Sequence, residues 1–588
     1  MMLPSIMKFL LAAIVLFTPF PGLSESKYVL SKLSTLYVPY YDATTGQPIY
    51  KYDMKTADQI AYDPQDKIIY LVGYSVLYVI DVSDPKNMAI LHHQVYNKTQ
   101  LTEIEFCDGF VFFSADDETS ADTRLHGKVY VLKKYHANDV DSLKVLHTVE
   151  VGAIPDSIKV TKDCRTVVVA VGGEAFGTGR DFQDPPGSVG IIKFPNGVQG
   201  DSTYTNLDFG EFNSKIFQLE KDGVRFIYRD NSNIFLKDAQ PETIALNGDE
   251  TIAYVCLQAN NAIAEVNLVT MTITALRGLG YKSWSSYKLD ASDRDGGIKM
   301  NSYDIRAFYQ PDGIHHTTWN GKSIIITANE GFTKNYDDQI GWKEEIRGSK
   351  IVASLSKTVS QNLKTALADD SKLGRLIFSK FDGLNADGEY NHLYTFGGRG
   401  ISIRLASDMS VLYDSGNIVE EQSAKHLPDL FNCDGHPHNT PRESMDTRSD
   451  NRGTECEAIE TAVIDERLVI FVGCETPGAV YVFSVGDDFS TTRFESIFTN
   501  VPRNDVTFSD MYDKRVLSEI DPEDIRYVTG SDSPTNSSVL FVSSSESGTL
   551  SVFQVNVVNT NSGTRTGSIN SLGLFLATVV LVMLIRTP

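Results

Sequence analysis

Acidic residues recur at two points of a repeated pattern in this sequence. One acid opens a β-rich segment, and a second acid closes the β-rich segment that follows. Four copies of the pattern carry both acids, which are Asp156, Glu174, Asp312, Glu330, Glu457, Glu475, Glu523 and Glu546. Carboxylate oxygens suit Ca²⁺, because it is a hard cation that takes six to eight oxygen ligands. If the fold brings these side chains together, they predict a calcium site.

Two loops add further oxygen-rich candidates. Residues 290–296 contain Asp290, Asp293 and Asp295, and residues 382–388 contain a similar run of Asp, Asn and Gly. Each resembles the start of a calcium-binding loop but lacks the glutamate of the twelfth position. The alternative is that these clusters only form turns. In the same way, the repeated acids could form ion pairs with Arg306, Arg347, Arg399, Arg448 or Arg452.

Catalytic motifs are missing from the sequence. It has no Gly-x-Ser-x-Gly nucleophile elbow, no P-loop and no His-Glu-x-x-His zinc motif. Cys433, His436 and His438 lie close together, but their spacing matches no zinc pattern. His315 and His316 are adjacent in a predicted strand, so they point to opposite faces. No catalytic residue is predicted.

Repeated β-hairpins are the elements that position the acids. The clearest one has Asn320-Gly321 between two β-rich segments, which is typical of a type I′ turn. Pairing outward from this turn places Asp312 and Glu330 at the same end of the hairpin. A further copy at residues 241–261 lacks the closing acid, and weaker copies begin at residues 58 and 103. Such units must stack to bury their faces, which predicts an all-β propeller with the eight acids in a collar.

Seven units predict seven blades, and six or eight remain compatible with the irregular spacing. The segment 27–38 is expected to complete the last blade and close the ring. Long insertions interrupt the repeats at residues 196–239, 331–410 and 486–520. In the second insertion, hydrophobic residues recur every four positions and predict one external amphipathic helix. These residues are Ile351, Leu355, Val359, Leu363 and Leu367.

Composition excludes two broad classes of protein. The 588 residues carry a formal net charge of −23, and a nucleic-acid-binding protein needs a basic surface instead. Hydrophobic residues make up 41% of the chain, which excludes wholesale disorder. An acidic globular protein is expected, with no nucleic-acid partner.

Both ends of the sequence carry processing signals. Residues 1–24 predict a secretory signal peptide, because Lys8 precedes a hydrophobic segment that is too short to span a bilayer. Residues 572–585 are uninterruptedly hydrophobic, and a polar spacer separates them from the small residues at 561–563. This order is typical of a glycosylphosphatidylinositol (GPI) attachment signal, with Asn561 or Ser562 as the attachment site. A transmembrane span is the alternative, but the run is shorter than the roughly 20 residues that a bilayer requires.

The predicted organisation is therefore a signal peptide at 1–24, a propeller at 25–556, a spacer with the attachment site at 557–571 and a removed hydrophobic tail at 572–588. Secretion makes the sequons at Asn97 and Asn536 candidate glycosylation sites.

Secretion also places the cysteines in an oxidising compartment, where an even number permits three disulfides. Cys456 and Cys474 face each other across a predicted hairpin. Cys107 and Cys164 lie in equivalent turns of successive units. The connectivity stays open among the six candidates Cys107, Cys164, Cys256, Cys433, Cys456 and Cys474.

Several longer motifs carry a family resemblance. They are Leu289-Asp290-Ala291-Ser292-Asp293, Gln310-Pro311-Asp312, Ala328-Asn329-Glu330-Gly331, Leu373-Gly374-Arg375-Leu376, Tyr413-Asp414-Ser415-Gly416, Asp446-Thr447-Arg448-Ser449-Asp450, Glu455-Cys456-Glu457 and Ser547-Gly548-Thr549. On these motifs the sequence resembles the mesenchyme-specific cell-surface glycoprotein family of skeleton-forming cells. It is also similar to bacterial secreted proteins with a choice-of-anchor I domain, some of them labelled alkaline-phosphatase-like. Ala259 departs from the pattern, since an acid is usual at that position.

The resemblance implies a seven-bladed propeller, a GPI-anchored or extracellular glycoprotein and a role in calcium-carbonate biomineralisation. Two functions from different classes are therefore compared. The first is a non-enzymatic surface glycoprotein that binds calcium, mineral or matrix through its acidic face and the membrane through its lipid anchor. The second is a secreted metal-dependent phosphoesterase on a propeller. The first is favoured, because no nucleophile or tight ligand motif is found. Its expected location is the cell surface or the extracellular matrix.

Overall fold

A computed structural model of the protein describes residues 25–42, 45–228, 234–501 and 503–560, with only the backbone for residues 25, 26, 559 and 560. Tyr28–Asn556 forms one compact unit. The described residues 25–27 and 557–560 belong to a second unit. The predicted signal peptide, the attachment residues Asn561 and Ser562 and the hydrophobic tail lie outside the described residues.

Seven four-stranded antiparallel sheets follow one another along the chain, which confirms the predicted propeller and gives it seven blades. Blade 1 consists of Ile60–Asp63, Ile68–Gly73, Val76–Asp81 and Ala89–Val95. Blade 2 consists of Thr99–Cys107, Phe110–Asp117, Lys128–Lys133 and Val145–Glu150. Blade 3 consists of Pro155–Val160, Thr166–Val171, Ser188–Lys193 and Thr203–Asp208. Blades 4 and 5 consist of Ile244–Leu246, Ile252–Leu257, Ala262–Asn267 and Thr272–Gly278; and Ile314–Trp319, Lys322–Asn329, Gly400–Leu405 and Val411–Asp414. Blades 6 and 7 consist of Cys456–Ile464, Arg467–Cys474, Ala479–Val485 and Arg493–Phe498; and Pro522–Val528, Val539–Ser544, Thr549–Thr560 and Glu25–Tyr37.

The hydrophobic core lies between neighbouring blades. The second and third strands of each blade are rich in β-branched residues and are buried on both faces, as sheets covered on both sides require. Val168 of blade 3 packs with Val255 of blade 4 in one cluster. Ile69 of blade 1 packs with Phe541 of blade 7 in another. Each blade therefore buries its faces only because it has neighbours.

The ring closes between blades 7 and 1. The Ile60 amide donates to Asp524 Oδ2 at 3.2 Å, and Arg526 Nη2 donates to the Ile60 carbonyl at 3.0 Å. Within blade 7, the N-terminal strand Glu25–Tyr37 pairs with the last strand, Thr549–Thr560. The chain therefore closes its own ring, as predicted for segment 27–38, and a closed ring leaves few exposed sheet edges.

All the long insertions lie at one end of the propeller. They connect either a second strand to a third, as at residues 330–399, or a fourth strand to the next first strand, as at 209–243, 279–313, 415–455 and 499–521. Both kinds of connection are made at the end where the first strands begin. They carry a small sheet of Tyr281–Ser283, Arg306–Phe308 and Tyr394–Thr395, and the strand pairs Tyr40–Tyr41 with Pro48–Ile49, Asn335–Tyr336 with Trp342–Lys343 and Glu345–Arg347 with Ile377–Ser379. The short helices Ala121–Arg124, Ile216–Lys221, Phe235–Asp238, Asp337–Ile340, Gly348–Ile351, Gln361–Leu367, Ile418–His426, Pro441–Ser444 and Phe508–Asp513 belong to this end too.

The single external helix predicted in the second insertion is wrong. Its hydrophobic residues do pack into one cluster, but the backbone divides into Gly348–Ile351 and Gln361–Leu367. Leu355 between them is extended, with ψ of 134°. The Ser360 hydroxyl accepts the Leu363 amide and starts the second helix anew. The Ser360 cap thus starts a new helix within the segment that the hydrophobic periodicity predicts to be continuous.

Two disulfides, Cys107–Cys164 and Cys456–Cys474, agree with the register and turn arguments. The first joins blades 2 and 3, and the second joins the first two strands of blade 6. Cys256 and Cys433 are buried free thiols. The third disulfide permitted by the cysteine count is therefore not formed.

Candidate functional site

A central cavity of about 640 Å³ runs along the first strands of the blades. Of the residues that line it, twelve are Asp or Glu. Apart from two histidines, the basic side chains in the wall are Lys159, Arg452 and Arg526. A cavity wall with this excess of carboxyl groups favours cations over anions.

A β-bulge at the start of each first strand places the acids in the cavity. In blade 3, Pro155 pairs with Val171 and Ser157 with Ala170, so Asp156 has no partner across the hairpin. Glu523 is left out of the pairing of blade 7 in the same way. In blade 5, Ala328 bonds both the amide of Asp312 and the carbonyl of Gly313. An unpaired extra residue turns its side chain out of the sheet, and here that direction leads to the cavity.

The bulges produce a ring of acids in six of the seven blades. Each acid stands two residues before an isoleucine of the first strand, as Asp58 stands before Ile60. The six are Asp58, Asp156, Glu242, Asp312, Glu457 and Glu523, and all of them line the cavity. In blade 2 this position is Thr102, and the buried Glu103 beside it supplies the carboxyl group. We call Asp58, Glu103, Asp156, Glu242, Asp312, Glu457 and Glu523 the acid ring.

The sequence prediction included four members of the acid ring and missed Asp58, Glu103 and Glu242. The hairpins of Asp58 and Glu242 lack the closing acid, and Glu103 lies one residue after the position of the opening acid, so the two-acid pattern passed over all three. The spacing of acid, any residue and isoleucine would have found Asp58 and Glu242.

The four closing acids lie in three different surroundings. Glu174 and Glu330 line the cavity. Glu475 is not part of the wall, but its carboxyl group reaches Glu330 and Glu457. Glu546 faces Tyr52 Oη at 3.1 Å and Lys55 Nζ at 3.8 Å instead. Six of the eight predicted acids therefore line the cavity, and Glu475 and Glu546 lie outside its wall.

Three of the predicted acids come together most closely. One carboxylate oxygen from each of Glu330, Glu457 and Glu475 lies within 4.8 Å of the other two. We call these residues the glutamate triad. Glu457 is 9% exposed, and its Oε1 atom is buried without a hydrogen-bond partner. A buried carboxylate oxygen without a donor is costly, and a metal ion is one way to satisfy it.

Arginines from the insertion at 415–455 reach the same cluster. Arg452 Nη1 contacts Glu330 Oε1 at 2.7 Å, and Arg452 Nη2 contacts Glu455 Oε2 at 2.5 Å. The Arg448 guanidinium binds both oxygens of Glu455 at 2.7 Å. Ion pairing, the alternative raised above, thus applies to part of the collar. The other three arginines bind elsewhere, Arg399 to Glu420, Arg347 to Asp450 and Arg306 to Tyr394.

Burial and mutual repulsion change the protonation of the acid ring. Burial raises the pKa of Asp58 and of Glu103 to about 7. Burial and the neighbouring Glu330 raise the pKa of Asp312 to about 8. Burial, followed by the charge of Glu523, holds the pKa of Glu457 well above its usual value. Without a counter-ion, the acid ring therefore holds protons at neutral pH.

A second layer of the cavity wall is mixed in charge. Lys159 Nζ contacts Glu105 Oε1 at 2.6 Å, and His315 Nδ1 lies 3.6 Å from Glu460 Oε1. Burial lowers the pKa of His315 to about 4, so this imidazole is neutral at pH 7. Lys159 Nζ also lies 3.6 Å from Glu103 Oε2, so this layer partly compensates one member of the acid ring.

The predicted calcium loop at residues 290–296 lies away from this cavity. Asp290 is fully buried and accepts the Lys299 amide at 2.5 Å, as in a turn. Asp293 is held by Arg375 at 2.5 Å, whereas one carboxylate oxygen of Asp295 is buried without a partner. Asp382 of the second loop binds Arg225 at 2.7 Å. Protein donors therefore occupy most carboxyl groups of these loops.

Asn97 and Asn536 are exposed and lie in connections between strands. Glycosylation of either remains a prediction. Among the helices in the described ranges, none combines the length and the apolar character needed to cross a bilayer.

The sequence is similar to a known domain family and to two known proteins. The family model of the choice-of-anchor I domain matches residues 58–488. Gigasin-3a of Magallana gigas is 36% identical over 190 residues, which cover 32% of this chain and 67% of that protein. The mesenchyme-specific cell surface glycoprotein of Strongylocentrotus purpuratus is 34% identical over 313 residues, or 49% of this chain and 40% of that protein.

Among solved structures, the β-propeller domain of Myceliophteria thermophila Cps50 (Swd1) covers 90% of this chain and 100% of its own, with 6% identity and a TM-score of 0.41. The fold assignment therefore depends on the sheet topology of the chain itself. The alignment with the sea-urchin glycoprotein spans less than half of that relative, and the similarity extends to the matched segment alone.

Proposed function

Since the chain belongs to the choice-of-anchor I family and resembles a cell-surface glycoprotein, we propose that it is an extracellular surface protein that binds calcium in its central cavity. The acid ring and the glutamate triad provide the ligands. In keeping with its resemblance to proteins of skeleton-forming cells, the protein would supply or hold calcium during mineral deposition.

One observation carries the calcium proposal. Glu457 is buried with an unpartnered carboxylate oxygen, and that oxygen belongs to a group that meets two further carboxylates. Three carboxylates from three chain segments give a hard cation several oxygen ligands, and water can supply the rest. Extracellular calcium sites commonly bind at 10⁻⁴–10⁻³ M, so a weak site is expected.

Calorimetric titration of the purified full chain tests the proposal. Calcium should bind the unmodified protein, and Glu457→Gln and Glu475→Gln should each weaken binding by roughly tenfold or more, because each removes a charged ligand. Glu211→Gln is the matched control, since Glu211 is exposed on an insertion outside the cavity. Equal calcium affinity in all four proteins would show that the triad is not the site.

Membrane attachment through GPI is a second part of the proposal. It is supported by the sequence of residues 561–588, in which a small-residue site, a polar spacer and a hydrophobic tail follow one another. Phosphatidylinositol-specific phospholipase C should release the protein from the surface of expressing cells. Retention on the cells, with the hydrophobic tail still present by mass spectrometry, would favour a membrane span instead.

A further inference from the structure

Arg452 is the positive charge closest to the glutamate triad. It extends from the insertion at 415–455 and divides its guanidinium between Glu330 and Glu455. It also donates to the Gly331 carbonyl at 2.6 Å. Gln258 donates to the second oxygen of Glu330 at 2.6 Å, so both oxygens of Glu330 have protein partners. Glu457 has one oxygen without any.

Glu455 does not require Arg452 for its own neutralisation. This glutamate is fully buried, and Arg448 binds both of its oxygens in a two-pronged ion pair. Such paired contacts are among the strongest that a carboxylate makes in proteins. Arg452 is therefore the arginine that contacts the triad directly, whereas Arg448 contacts Glu455 and acts on Glu475 through its charge.

The charged side chains in and beside the triad are mostly acidic, and Glu523 of the acid ring adds negative charge at Glu457. Glu330, Glu455, Glu457 and Glu475 supply four negative charges when they are ionised, and Arg448 and Arg452 supply two positive ones. Two negative charges therefore remain on these six groups. Without Arg452, three would remain.

We propose that Arg452 is a specificity-determining residue of the cation site, acting as a built-in counter-ion that sets its affinity and its preference for divalent ions. This inference rests on the calcium site proposed above. Arg452 repels the incoming cation and limits calcium affinity. It repels a trivalent ion more strongly, in proportion to charge.

Two neutral variants test this role in the full chain. Arg452→Met keeps the length of the side chain, and Arg452→Gln keeps a hydrogen-bond donor for Gly331. Calcium affinity, measured by calorimetry, should rise roughly tenfold or more in both, because a unit positive charge beside the ion is lost. Terbium affinity, measured by its luminescence, should rise by about the 1.5 power of the calcium factor, because the ion carries three charges instead of two.

Arg452→Lys and Arg375→Met are the controls. Arg452→Lys keeps the charge and should stay within about threefold of the unmodified protein, on the same electrostatic argument. Arg375 forms ion pairs with Asp293 and Asp450 outside the cavity, and its loss should leave calcium affinity unchanged. If only Arg375→Met tightens binding, calcium binds at the loop 290–296 and both proposals are wrong.

The remaining outcomes separate this inference from the function on which it rests. Calcium binding by the unmodified protein, with equal or weaker binding by folded Arg452→Met and Arg452→Gln, would overturn the role of Arg452 and leave the calcium site standing. No binding by any of the proteins would remove the calcium site itself. If neither neutral variant folds, as judged by circular dichroism, Arg452 is a structural residue and the inference is overturned.

Discussion

Glu457→Gln should be more stable than the unmodified protein without calcium, and calcium should narrow the difference. In calcium-free buffer the glutamate is an uncompensated group next to two other carboxylates. The amide has nearly the same shape but no charge, so the variant should be more stable than the unmodified protein. In calcium the difference should narrow, because the bound ion stabilises the unmodified protein more than it stabilises a variant that has lost a ligand.

Two energies bound the stability that Glu457→Gln should gain in calcium-free buffer. Two unit charges 4.8 Å apart, the distance that bounds the triad, repel by about 3.5 kcal/mol at an effective dielectric constant of 20. Protonation of a carboxyl group with a usual pKa of 4.5 costs about 4 kcal/mol at pH 7.5, which caps the penalty. A gain of about 3 kcal/mol corresponds to a rise of about 3 °C in melting temperature for a chain of this length.

Differential scanning calorimetry measures the melting temperature of both proteins, first with a chelator and then with 10 mM calcium. This concentration is about a hundredfold excess over a 10⁻⁴ M site. At a hundredfold excess, bound calcium adds about 2.7 kcal/mol to the unmodified protein. Glu211→Gln should melt like the unmodified protein in both buffers. A Glu457→Gln variant that melts lower in chelator would show that Glu457 has a partner, and an equal calcium shift in both proteins would place the ion elsewhere.

Three further predictions concern the scaffold and its titration. The calcium-free protein should lose stability as the pH rises from 5 to 8. In the folded state the pKa of Asp58 and of Glu103 is raised to about 7, and that of Asp312 to about 8. The unfolded chain releases the same protons near pH 4, so each rise in pH favours unfolding. Urea midpoints across this range measure the loss, and a rising midpoint would contradict it. Replacing both Cys456 and Cys474 with alanine opens a loop with a sequence separation of 18 and should lower the free energy of unfolding by about 3 kcal/mol; an unchanged urea midpoint would refute this value. Burial raises the pKa of the Cys256 and Cys433 thiols, so iodoacetamide at pH 8 should label them only after unfolding, and rapid labelling of the native protein would contradict their burial.

The sequence predicts most of the scaffold because its signals are local. The Asn320-Gly321 turn fixes the hairpin register, and the observed pairing of Trp319 with Lys322 follows from it. In blade 6, the pairing of the first two strands likewise places Cys456 opposite Cys474. Closure by the N-terminal strand follows from a strand without a hairpin partner. These predictions need only periodicity and turn chemistry.

The site is predicted less completely because its geometry depends on irregular backbone and on distant contacts. The two-acid pattern omits Glu242, because its hairpin has no closing acid, and only the spacing of an acid two residues before an isoleucine marks its place in the acid ring. Arg452 reaches Glu330 across 122 residues of sequence, and no spacing rule predicts such a contact. The broken helix near Leu355 shows the same limit, since serine capping competes with hydrophobic period.

The most direct test of the account is a crystal structure of the full chain grown in calcium, with terbium as the anomalous scatterer in a second crystal. If calcium binds at the glutamate triad, we expect an anomalous peak within about 2.3–2.6 Å of carboxylate oxygens from Glu330, Glu457 and Glu475. Well-ordered triad side chains with no peak between them, or a peak only beside Asp290 and Asp295, would contradict it.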